Sequence, residues 1–170
     1  MPYTHPVMTF AAGAKLTAAQ LNTYLRDNLA FLINPPTCSI FNSSSQTIAS
    51  STLTALAADS ENFDNDSMHS TVSNTSRITI NTAGRYMLAA TVLFASDANG
   101  TRFIEFFING TTRLDGMQIT NAGATNEAIL SATRFATLSI GDYVEVRARH
   151  TVVGNLAATL SSFTAAFLTN

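Results

Sequence analysis

The chain has 170 residues, one domain of ordinary size with room for an appendage. Charged residues make up 12% of it, about half the usual share of a soluble domain, and apolar residues 46%. Such a surface is expected either to be buried in an oligomer or to be neutral and rich in Ser, Thr and Asn. The net charge is −2, Lys15 is the sole lysine and the arginines are scattered, which excludes a basic track for nucleic acid. A single cysteine, Cys38, excludes an intrachain disulfide framework.

Residues 1–13 carry two prolines and a glycine without periodicity, and read as an extended arm. No basic stretch leads into a long apolar run, so no secretory signal is read. The most apolar window, Tyr86 to Ala95, is about half the length of a membrane-spanning helix. Residues 14–34 read as the one convincing helix. Thr17 is a good N-cap, Gln20 completes a capping box, and Leu16 and Leu21 occupy the staple positions. Leu21, Tyr24, Leu25, Asn28 and Leu32 share a face, which Leu29 widens. Asn34-Pro35-Pro36 ends the helix, because proline cannot continue it. An isolated helix of about 17 residues is marginal in water. Its stripe must therefore pack on the rest of the chain, on sister helices or on another protein. Leu21, Tyr24, Leu25, Leu29 and Leu32 are the expected anchoring residues.

From Thr37 onward β-branched and aromatic residues dominate, broken by turn signals such as Asn99-Gly100, Asn109-Gly110 and Gly141-Asp142. Strands are expected at Ser39–Phe41, Gln46–Ala49, Thr52–Leu56, Arg77–Asn81, Tyr86–Ser96, Arg102–Ile108, Thr111–Ile119, Ala128–Leu138, Asp142–Val152 and Ser161–Thr169. This pattern predicts a mainly β chain, an antiparallel β-sandwich over residues 37–170, preceded by an arm and anchoring helix over 1–36. In Asp142–Val152, Val144, Val146 and Ala148 face one way and Tyr143, Glu145, Arg147 and Arg149 the other. Tyr86–Phe94 and Phe103–Ile108 are apolar on both faces, so something must cover the second. A subunit interface is the simplest cover and the helix the alternative. Tyr86, Leu88, Phe94, Phe103 and Phe107 are accordingly the candidate interface residues.

Chemistry is sparse. His5, His69 and His150 have no metal-ligand spacing. No nucleophile elbow or phosphate-cradling loop occurs. Asp59, Glu61, Asp64 and Asp66 form a weak calcium candidate against the plainer reading of a solvated acidic loop. No enzyme activity and no cofactor are expected. Several Asn-x-Ser/Thr sequons read as a by-product of polar loops.

Two resemblances add context. Phe63-Asp64-Asn65-Asp66, Arg77-Ile78-Thr79-Ile80, Ala83-Gly84-Arg85-Tyr86-Met87-Leu88, Ser139-Ile140-Gly141-Asp142-Tyr143-Val144 and Ser162-Phe163-Thr164-Ala165-Ala166-Phe167 occur in an order similar to the jelly roll of complement globular heads and tumour necrosis factor (TNF) ligands. That resemblance covers about residues 37–170 and implies a homotrimer without the collagen stalk of many members. Gly13-x-Lys15-Leu16-Thr17-Ala18-Ala19-Gln20-Leu21-Asn22, followed by Leu25-Arg26-Asp27-Asn28-Leu29-x-Phe31-Leu32 and Pro35-Pro36, resembles a leader on tailed-phage structural proteins. It implies a virion component that meets coat or tail proteins, either capsid decoration or a small tail-associated head. The alternative is a receptor-binding adhesin head of a tail fibre that recognises a host surface glycan or protein. Neither nucleic acid nor membrane insertion is expected.

Overall fold

The computed structural model describes residues 9, 11–120 and 126–169, with the side chains of 118–120 set aside. The arm expected over 1–13, His5 included, falls largely outside them. The chain begins with α1 (Ala18–Leu21), a π-helical turn (Asn22–Arg26) and α2 (Asp27–Ile33). Thr17 caps α1: its Oγ1 accepts from the Gln20 backbone N–H, and Gln20 Oε1 accepts in return from the Thr17 N–H. This is the expected capping box. The π turn was not legible, because one extra residue per turn leaves the apolar spacing nearly intact.

Among the described residues eleven strands follow: β1 (Thr37–Phe41), β2 (Gln46–Ala49), β3 (Thr54–Ala55), β4 (Ser60–Asp64), β5 (Arg77–Thr79), β6 (Gly84–Phe94), β7 (Thr101–Ile108), β8 (Thr112–Thr120), β9 (Ala128–Leu138), β10 (Tyr143–His150) and β11 (Asn155–Thr169). They form two antiparallel sheets. Sheet A runs β4-β1-β11-β6-β9 with β2 also on β11, and sheet B runs β3-β10-β7-β8 with β5 also on β10. The expected β-sandwich is therefore present. Strand β4 departs from the expectation of a loop at the acidic stretch. It is the polar edge of sheet A, and charged side chains are what an unpaired edge needs to resist further pairing.

The core lies between the sheets, built from alternate residues such as Ile40, Leu88, Val92, Ile104, Phe106, Val144, Val146 and Phe163, all almost fully buried. Each such side chain contributes about 1.5–3 kcal/mol on leaving water. A bulge on β11 between Leu160 and Ser162 changes which parity faces inward. Leu156, Ala158 and Leu160 point into the core before it, and Phe163 and Ala165 after it. Asn109 and Gly110 both have positive φ, giving the tight β7–β8 hairpin that Asn-Gly predicts.

Tyr86, Leu88 and Phe94 are fully buried inside the single chain, so they do not form a subunit interface. They are the core row of β6, and Tyr86 donates from its hydroxyl to the Thr82 carbonyl at 2.6 Å. Burial, reinforced by Asp66, pushes that phenol up and keeps it a donor.

Candidate functional site

Three surfaces stand out. The first is the helix. None of its residues is buried. The anchoring candidates Leu21, Leu25, Leu29 and Leu32 are exposed, Leu32 by 70%, and Tyr24 is half-buried. Its recorded aromatic link to the sandwich is Phe31, whose ring meets Phe167 edge-on at 5.1 Å. Asn65 ties the helix end to the sandwich by donating to Asn34 Oδ1 and the Pro35 carbonyl, both at 2.7 Å.

The second surface is the outer face of sheet A. Register sets Met87 beside Phe135 and Leu93 beside Ile129 across β6 and β9. Between those pairs lie the smaller Ala89, Thr91, Ser131 and Thr133, with Thr91 and Ser131 sharing a hydroxyl hydrogen bond at 3.0 Å. Phe135 is 70% exposed, Ile129 64% and Leu168 51%. Arg85, Phe135, Ala136, Thr137, Leu168 and Thr169 line a groove of about 340 Å³ at one end. This face has apolar ends, and its large apolar groups are exposed among the described residues.

The third surface is the outer face of sheet B. Phe103 and Phe107, expected at an interface, are covered instead by arginines of β10. The Arg149 guanidinium lies 4.2 Å from the Phe103 ring centre and that of Arg147 4.4 Å from Phe107. Arg77 of β5 covers Tyr143 at 3.9 Å. Glu145, 4% exposed, accepts from Arg77 Nε at 3.1 Å and Arg147 Nη2 at 2.7 Å. Burial opposes ionisation of Glu145, but the hydrogen bonds from Arg147 and Arg77 outweigh it and hold its carboxyl below the usual range. Glu105 pairs with Arg113. The sequence pattern did place Tyr143, Glu145, Arg147 and Arg149 on one face. It could not supply the register that sets Arg149 opposite Phe103.

The four acids of the calcium candidate do not converge. Asp59 accepts from the Ser43 hydroxyl and N–H, which lowers its carboxyl. Glu61 meets His69 Nδ1 at 2.8 Å. Asp64 takes the backbone N–H groups of Asp66 and His69, and Asp66 takes the Thr82 hydroxyl. Each carboxylate is engaged by a different local donor. Among the described residues no group of three or more His, Cys, Asp or Glu is placed to hold a metal ion. His150 is buried with Nε2 2.9 Å from the Ile48 carbonyl, a structural position.

No family model matches the chain. No curated protein matches it. Solved structures do. The globular domain of zebrafish complement 1qA matches with TM-score 0.59 at 14% identity, over 79% of this chain and 99% of that one. The Eiger TNF of S. frugiperda matches with TM-score 0.51 at 11% identity, over 79% and 94%. Murine APRIL at pH 5.0 matches with TM-score 0.52 at 13% identity, over 74% and 98%. At these identities the likeness defines the fold: a TNF-like and complement-head-like jelly roll.

Proposed function

We propose that this chain is a homotrimeric, non-enzymatic structural protein of a tailed-phage particle. Residues 1–36 anchor it and the jelly roll faces outward, as capsid decoration or as a small tail-associated head. The observation that carries this reading is the helix, whose leucine stripe is exposed along its length and finds no cover among the described residues. Apolar surface of that extent is an interaction surface rather than a neutral one. The leader resemblance of residues 13–36 supplies the particle, and the matched structures speak to the head alone. Heads of this fold commonly form trimers and are not enzymes. The outer face of sheet A supports self-association, since small residues at its centre let another copy approach closely. Light scattering on the purified chain is expected to give three times 18.1 kDa. A monomer would overturn the trimer. Imaging of an intact particle with a labelled head tests the address, and an unlabelled particle would overturn it.

The second reading is a receptor-binding adhesin head of a tail fibre, directed at a host surface glycan or protein. The arginine-rich outer face of sheet B favours it.

A further inference from the structure

We propose that the outer face of sheet B carries a subsite for one acidic sugar unit of a glycan, formed by the recess between β7 and β8 together with the Arg149 guanidinium. The inference concerns the head alone and stands wherever the protein resides.

The recess encloses about 160 Å³ and is lined by Phe103, Ile104, Glu105, Arg113, Asp115 and Gly116, with Met117 beside them. At about 30 Å³ per water it has the space of about five waters, the scale of a single sugar ring. Its existence is a consequence of backbone geometry. The β7–β8 register shifts between Ile104 and Phe106. There Gly116 lies so close to β7 that a Cβ would meet the Ile104 carbonyl oxygen at 1.6 Å. The absent side chain lets the two backbones close up there, and the shift in register shapes the recess beside them.

The rim has the chemistry of hydroxyl recognition. Glu105 and Asp115 are both reached by Arg113, at 3.8 Å in the case of Asp115. Carboxylates and a planar guanidinium arranged this way accept from and donate to neighbouring hydroxyls in pairs. Phe103 joins the recess to Arg149, because the residue lines the one and its ring carries the other.

Charge then selects the sugar. Four arginines lie on this face: Arg77, Arg113, Arg147 and Arg149. Arg77 and Arg147 share Glu145, and Arg113 has Glu105. Among the described residues Arg149 is within salt-bridge distance of no carboxylate. Stacked on Phe103, it is already ordered, so a ligand that uses it immobilises little more. One unpaired, pre-placed guanidinium matches one carboxylate. A phosphodiester chain fits poorly, since a chain of net charge −2 with one lysine offers no continuing track.

The test is a titration of the full chain with galacturonate, glucuronate and sialic-acid-terminated oligosaccharides and their neutral counterparts, followed by calorimetry and by amide chemical shifts. At least one acidic probe is expected to bind, shifting the amides of Phe103 and Gly116, and to bind about tenfold more tightly than its neutral counterpart. Arg149→Ala is expected to remove that tenfold preference, and Glu105→Gln to weaken acidic and neutral probes alike. If Arg149→Ala fails to fold, Arg149→Gln, which keeps a planar group over Phe103, makes the same comparison. Overturning results are saturable binding of no acidic probe, an unchanged acidic preference in the Arg149 variant, or shifts confined to other faces.

Discussion

On the outer face of sheet B the rings of Phe103, Phe107 and Tyr143 are each lidded by a guanidinium, whereas on the outer face of sheet A Phe135, Ile129 and Leu168 stand in solvent. Both faces carry large apolar groups on the side away from the core. What separates them is the neighbour that register supplies. Opposite Phe103 is Arg149, and opposite Met87 is Phe135. An arginine stem covers apolar surface and keeps its charge wet. A phenylalanine beside a methionine adds to the surface that needs a cover. A strand that is apolar on both faces therefore does not by itself mark an interface. The cross-strand partner decides whether the chain covers its own surface or leaves it for another molecule.

The sharpest break in this comparison is to the core they share. Leu88→Ala on β6 is expected to cost about 3 kcal/mol, read as a fall in the urea midpoint, because it opens a cavity in a fully buried row. A cost below about 1 kcal/mol would mean that Leu88 belongs to an outer face after all.

Next is the carboxylate that organises sheet B. Glu145→Gln leaves Arg77 and Arg147 without their anion and is expected to cost about 2 kcal/mol at pH 7. The folded Glu145 titrates below the unfolded carboxylate, so its contribution is fully present above the unfolded value of about 4.3 and disappears as pH falls through the folded value. Wild type and variant should therefore converge in acid. Melts from pH 7 to pH 3 that stay parallel would remove the role assigned to this charge.

The outer face of sheet A gives a smaller effect on folding and a larger one on assembly. Phe135→Ser with Leu168→Ser is expected to change monomer stability by less than about 0.5 kcal/mol, as for exposed positions in general. The same pair is expected to lower the mass seen by light scattering. An unchanged oligomer would move the self-association surface elsewhere.

The smallest effect serves as a control on both. Cys38 is a core residue of β1, and burial, with help from Asp64 and Glu61, pushes its thiol far up. It should stay unreactive to a thiol reagent in every variant that keeps the fold and react once urea unfolds the chain. Fast labelling of native protein would mean that sheet A opens at β1.

Much of this architecture can be read from the chain. Gln46–Ala49 and Ala128–Leu138 run between the expected residues, since alternation and turn chemistry act locally. The Thr17–Gln20 box and the Asn109-Gly110 hairpin are likewise local. The first half of β11 was missed because the bulge at Ser161 breaks the period of two, so the strand seemed to begin there. Strand β4 was missed because an edge strand needs no apolar row. The candidate site was legible in part. The face of Tyr143, Glu145, Arg147 and Arg149 follows from alternation, but the recess does not, as it depends on Gly116 sitting in a bulge of β8 against the backbone of β7.

By itself the sequence determined a capped helix with a leucine stripe and a β-sandwich with buried Val144, Val146 and Ala148, because helix caps and two-residue periodicity are set by neighbours along the chain. Only the tertiary structure decided that Tyr86, Leu88 and Phe94 are core, that Phe103 and Phe107 lie under arginines, and that Asp59, Glu61, Asp64 and Asp66 part company. Those outcomes depend on which strand lies opposite and in what register, a relation between residues as far apart as Phe103 and Arg149 that no local pattern encodes.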